Sequence, residues 1–209
     1  MSEDAAGAPQ RPLALVAKPW FWIVVIGGLW MLPLVKSLGA KLPDPLPGED
    51  AAPVTFAAVD EDGDRVALAD LAGYLVLACH VSAADETESS RMLGLFQEVR
   101  SRLRGLGSSV VYLVLLSDGE PADLTAILDH GSRRRPSHVA LLDADGSAAA
   151  ALARAAADLG SAETPGFFLL DTHGRLRGAY TAEERALDRL VTEAGQLANW
   201  RAQDPDPAR

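Results

Sequence analysis

The chain has 209 residues, 48% of them hydrophobic, and a formal net charge of −10. This length suits one globular domain with extensions, and the apolar share is enough for a core. The acidic balance excludes a general nucleic-acid binder, which needs a basic footprint. The lone cysteine, Cys79, excludes an internal disulfide, a C-x-x-C motif and a zinc cluster.

Residues 1–18 read as a short polar tail. Residues 19–35, PWFWIVVIGGLWMLPLV, carry no charge and stand between Lys18 and Lys36. Such a run rises about 25 Å as a helix, slightly less than the ~30 Å hydrocarbon core. The flanking lysines extend its reach by snorkelling. Trp20, Trp22 and Trp30 are placed as interfacial aromatics. A cleaved signal peptide would have a shorter apolar run and a small-x-small site, for which Leu38-Gly39-Ala40 is a poor match. A core helix would show a polar face. The expectation is one uncleaved transmembrane helix over 19–38. Arg11 and Lys18 before it and Lys36 and Lys41 after it leave the positive-inside count tied. Residues 39–53 contain four prolines and read as a semi-rigid linker.

Residues 54–201 then read as an α/β domain, with 202–209 a loose tail. Val54–Val59 is a strand, Asp60–Asp64 a turn, and Arg65–Leu68 its return. Tyr74–Val81 is a continuous apolar run, as expected of a strand covered on both faces. Thr87–Leu106 has Met92, Leu95, Phe96, Val99 and Leu103 at helical spacing. Val110–Leu116 is a second buried strand, and Pro121–His130 a helix with proline in its first turn. Val139–Leu142 is a strand and Ser147–Leu159 an alanine-rich helix, with Ser147 placed to cap it. Phe167–Leu170 and Leu176–Tyr180 flank a hairpin turn at Asp171–Gly174. Thr181 is placed to cap a last helix that runs to about Trp200. This alternation predicts helices layered on a central sheet.

Few residues point to chemistry. Cys79 shares a strand face with Leu75 and Leu77 and so points into a core layer. His80 faces the other way, so the two cannot readily hold one ion. His130, His138 and His173 form no ligand motif and read as exposed. Asp60, Asp62, Gly63 and Asp64 read as a turn, since Leu71 stands where a calcium loop needs its last glutamate. Ser82 and the Ser117-Asp118 pair assemble with no histidine into a recognisable triad. Arg133-Arg134-Arg135 is a local basic patch, read either as a solvated loop or as a docking contact.

Several motifs together resemble the Sco/SenC and TlpA/peroxiredoxin-like branches of the thioredoxin superfamily, and the Sco/SenC side is favoured. They are Asp60, Asp62 and Gly63 of the turn, then Leu68, Asp70, Leu71 and Gly73, then Thr164-Pro165 before FFLLDTHGRL. The resemblance covers about Val54 to Trp200. It implies a thioredoxin-like α/β/α sandwich with an N-terminal β-hairpin and one N-terminal transmembrane helix. It also implies a large periplasmic domain on a single inner-membrane span, and a role in cytochrome oxidase assembly.

Family members carry C-x-x-x-C after the first core strand, and Arg91-Met92 here holds the place of a step in the helix that follows. The two cysteine places fall on Val81 and Asp85, and the family's copper-ligand histidine falls near Glu163. The degenerate site would therefore comprise Val81, Asp85, Glu86, Glu163, Thr164 and Pro165. Copper(I) calls for soft thiolates, and disulfide exchange for an attacking and a resolving thiol. Asp85, Glu86 and Glu88 suit a helix N-terminus but do no thiol chemistry.

The expectation is a non-catalytic, membrane-tethered accessory or assembly factor of a respiratory complex. It would act through protein contacts, with no catalytic residue and no resident cofactor or metal. The alternatives are a redox protein using Cys79 alone, with a partner thiol in trans, and a copper-delivery protein of the Sco/SenC type.

Overall fold

A computed structural model of the chain describes residues 19–20, 22–23, 25–26, 47–48, 50–120, 138–161 and 165–203. The chain divides into two units, Met1–Asp44 and Pro45–Arg209. In the first, Pro19, Trp20, Trp22, Ile23, Val25 and Ile26 are helical and exposed. Among the described residues, no helix is long and apolar enough to cross a membrane. Most of the expected span over 19–38 lies outside them.

The second unit holds a seven-stranded mixed sheet. Its strands are β1 (Ala57–Val59), β2 (Arg65–Ala67), β3 (Leu75–Ser82), β4 (Val110–Ser117), β5 (His138–Leu142), β6 (Phe167–Leu170) and β7 (Leu176–Tyr180). They lie in the order β2-β1-β5-β4-β3-β6-β7. β3, β4 and β5 run parallel, and β6 and β7 form an antiparallel hairpin beside β3. The first hairpin, β1–β2, joins β5 antiparallel at the other side.

Among the described residues, three helices cover this sheet: α1 (Glu86–Arg102), α2 (Ser147–Asp158) and α3 (Glu184–Gln203). Alternation along each strand divides the core into two layers. Leu75, Leu77, Cys79 and Val81 of β3 pack with Met92, Phe96 and Val99 of α1 and Leu187, Leu190 and Ala194 of α3. On the opposite face, Val76 and Ala78 pack with Ala148, Leu152 and Ala156 of α2 and with Phe56 and Leu68. Each fully buried aliphatic side chain contributes roughly 1.5–3 kcal/mol, so the two apolar runs in β3 and β4 anchor both layers. The expected α/β/α sandwich with an N-terminal β-hairpin is present.

Several boundaries differ from the sequence reading. The first strand is confined to Ala57–Val59, and Leu68 opens a short 3-10 turn, Leu68–Leu71, whose Asp70 accepts from the Ala67 amide. α1 stops at Arg102, because Gly105 and then Gly107, with φ of 61°, follow its last turn. Ser147 is the first helical residue of α2 and not its cap. Gly146 occupies the cap with left-handed backbone, and the Asp143 carboxylate reaches in to accept from the Ala148 and Ala149 amides. Thr181 is not a cap either, since α3 begins at Glu184. The expected helix at Pro121–His130, the Arg133–Arg135 patch and the end of the C-terminal tail lie outside the described residues.

Candidate functional site

The feature that could carry function is the carboxyl end of β3, where the strand turns into α1. β3 is the pivot of the sheet, with parallel β4 on one side and antiparallel β6 on the other. Side chains that leave this edge converge from elements distant in the chain.

Val81 is buried in the α1 layer. Beyond it the chain is tied down tightly. Ser89 Oγ donates to the Ser82 carbonyl at 2.6 Å and accepts from the Ser82 amide at 3.1 Å. Ser82 Oγ donates to Asp118 Oδ2 at 3.0 Å and accepts from the Ala84 amide at 3.2 Å. Ser117 Oγ also reaches Asp118 Oδ2, at 3.3 Å. Asp118 holds this position with φ of 56°, the one positive value at a non-glycine among the described residues; aspartate tolerates that region better than most side chains. Asp85 caps α1 by accepting from the Glu88 amide at 2.9 Å. Glu86 and Glu88 fill the first turn, and Glu88 pairs with Arg91 on the exposed surface. Hydrogen bonding to Arg91 holds the Glu88 carboxyl below its ordinary range.

Pro165 and Gly166 approach from the β6 side. Gly166 accepts from the His80 amide and lies against the Met92 thioether, so the site's floor is apolar. Of the expected site residues, Val81, Asp85, Glu86 and Pro165 therefore fall in one region. Glu163 and Thr164 lie outside the described residues.

Cys79 lies beneath this edge with no exposed surface. Burial pushes its thiol up to about 12, and its hydrogen-bond acceptor is the adjacent His80 carbonyl at 3.9 Å. A thiol held in this state is a poor nucleophile. His80 points to the α2 face, as alternation requires. Burial lowers its pKa, with Asp143 and then Asp118 opposing that shift.

His138 departs from the sequence reading. It is half-buried and stacks on Tyr112, with ring centroids 5.4 Å apart. Burial and then the Arg100 charge push it down to about 4. His173 is exposed in the β6–β7 turn, and the Asp60–Asp64 segment is a turn in which Asp60 Oδ1 accepts from the Asp62 and Asp64 amides.

The sequence reading considered Ser82, Ser117 and Asp118 but did not bring them together, and it overlooked Asp143. One available signal was that both buried apolar runs end on serine. Parallel pairing in equal register puts Ser82 opposite Ser117.

No protein-family model matches the sequence, and no curated protein matches it. Among solved structures, the chain is similar to a SCO1/SenC family lipoprotein from Bacillus anthracis, with a TM-score of 0.56 and 16% identity. That match covers 76% of this chain and 99% of the other. BsSco, a member of the Sco family of cytochrome c oxidase assembly proteins, matches with a TM-score of 0.54 and 17% identity over 77% and 98% of the two chains. Bradyrhizobium japonicum ScoI, a structure with copper bound, matches at 0.51 and 14% identity over 70% and 99%. The class is thus a thioredoxin-like α/β fold. Within that class, the architecture is the one that Sco/SenC proteins share.

Among the described residues, the donor set at this edge does not suit copper. Val81 offers no ligand atom, the Asp85 carboxylate is a hard oxygen engaged in capping, and the thiol is buried. Among the described residues, no three His, Cys, Asp or Glu side chains cluster to hold a metal.

Proposed function

We propose that this protein is a membrane-tethered Sco/SenC-like domain that works by contact and not by thiol or metal chemistry. It would serve as an accessory or assembly factor for a respiratory membrane complex of the cytochrome oxidase type. The carrying observation is the head of α1. Where thiol chemistry would need exposed sulfur, the chain presents Ser82 and Asp85 held by hydrogen bonds and Glu86 in the first turn of α1, while Cys79 is sealed in the core. A rigid, acidic loop is pre-organised for a basic partner surface, since little ordering entropy remains to be lost on docking.

The tether rests on the uncharged run at 19–35, whose described residues are helical with Trp20, Ile23 and Ile26 exposed. The periplasmic placement and the oxidase partner rest on the resemblance to Sco-family proteins, of which BsSco belongs to a family of oxidase assembly proteins.

Affinity capture from membranes with the full chain tests the reading. Recovery of oxidase subunits, weakened by Asp85→Lys with Glu86→Lys, is the expected result. Recovery of no membrane protein, or capture unaffected by those charge reversals, overturns it. Rapid alkylation of Cys79 in the folded protein would instead favour single-thiol redox chemistry.

A further inference from the structure

His80 and Ser82 occupy the same face of β3 at its carboxyl end, two residues apart. Ser82 Oγ holds Asp118 Oδ2, and Asp118 Oδ2 also takes the Ser117 hydroxyl. Asp143 follows β5 and donates its own amide to the Leu116 carbonyl, which brings it to the same edge. His80 Nε2 is buried in this setting without a hydrogen-bond partner. An orphaned, buried ring nitrogen is costly to keep, and the charges of Asp143 and then Asp118 favour its protonated form.

The two carboxylates differ in freedom. Asp143 is buried and fixed by the two amides at the head of α2. Asp118 is exposed, carries left-handed backbone and accepts from the Ser82 and Ser117 hydroxyls. The β6 side brings Gly166 and Pro165, without charge. α2 places no acidic residue in its first turn, and Asp145 just before it is engaged with the Ser147 amide.

We propose that His80 is a proton-operated latch for the loop at the head of α1. When the ring is neutral, Asp118 clamps Ser82 and Ser117. When Nε2 takes a proton, the imidazolium draws the Asp118 carboxylate toward itself. Ser82 Oγ then loses its acceptor, and the 82–85 turn that it shares with the Ala84 amide loosens. Asp143 stays in place and steadies the new charge. Burial opposes protonation, so the latch opens on the acid side of an ordinary histidine. The latch stands whether or not the loop is a docking surface.

The test is an NMR titration of the full, isotope-labelled chain from pH 8 to pH 4. The His80 ring and the Ala84 amide should titrate with one common midpoint below 6.5, and the Ala84 amide protection factor, taken against the intrinsic exchange rate at each pH, should fall at least tenfold across it. Asp118→Asn should leave a His80 titration and abolish the Ala84 response. His80→Gln should abolish the response as well. A His80 ring that stays neutral to pH 4, or an Ala84 amide indifferent to its titration, overturns the latch, and wild-type protein alone decides this. A response that persists in His80→Gln overturns it too.

Discussion

Gly178 lies directly beneath the phenol of Tyr180. A Cβ at position 178 would stand 2.5 Å from the tyrosine Cζ and closer still to its hydroxyl oxygen. The ring cannot swing aside, because the hydroxyl donates to Glu193 Oε2 at 2.5 Å and the Arg189 guanidinium covers its face. β7 is thereby locked to α3 through a space that only glycine leaves open. Gly178→Ala should cost about 1–3 kcal/mol, the range for overpacking, read as a lowered midpoint in denaturant unfolding. Gly166→Ala is the control. Its Cβ would meet the far end of the flexible Met92 side chain, so the loss should be smaller. Equal losses would contradict this account.

Asp143 should carry more stability than the residue that looks like the cap of α2. Asp143→Ala removes the acceptor for two helix-head amides and should cost about 1–2 kcal/mol. Ser147→Ala should change little, because Ser147 makes no capping bond. Chemical unfolding of the two variants separates the roles.

Cys79 should be inert in the native state. With the thiol buried and pushed up to about 12, almost no thiolate exists at pH 8. Labelling by a maleimide should follow global unfolding and accelerate sharply only in denaturant. Cys79→Ala should cost about 1–2 kcal/mol in lost packing and, on the proposed contact role, leave capture from membranes unchanged. Loss of capture in a folded Cys79→Ala protein would argue for a chemical role.

Stability should fall as the medium is acidified. Burial lowers the pKa of both His80 and His138 in the folded protein, the latter to about 4, from an ordinary 6.5. Between the folded and ordinary values, the unfolded chain binds the extra protons, so stability is intact above about pH 6.5 and is lost below it. For His138 this window runs down to about 4. Each histidine should cost well under about 1.4 kcal/mol per pH unit, since both rings are only half-buried. Denaturant midpoints at pH 7 and pH 5 measure the slope, and His138→Phe should flatten part of it. An unchanged slope in that variant would show that His138 does not contribute.

Much of this molecule was legible in the chain. The run Tyr74–Val81 has the length and continuity expected of a strand covered on both faces, and β3 is buried along almost its whole length. Alternation placed Cys79 in the core, where it is found. Local capping was less legible. Ser147 has the right chemistry and stands at the helix boundary, but Asp143, four residues earlier, reaches the helix head because the β5–α2 turn folds back through Gly146. His138 looked exposed because neither Tyr112 nor α1 is near it in sequence.

Sequence alone determined that dithiol chemistry within this chain is impossible, since a single cysteine cannot pair internally. Periodicity alone determined the alternation of strands and helices, because burial on one or both faces dictates local spacing. Only the tertiary structure decided which side chains meet at the carboxyl end of β3. Ser82 and Asp118 are 36 residues apart and meet because β3 and β4 pair in parallel and end at the same level of the sheet. His80 and Asp143 join them at that edge through sheet order and strand register, which no local sequence pattern encodes.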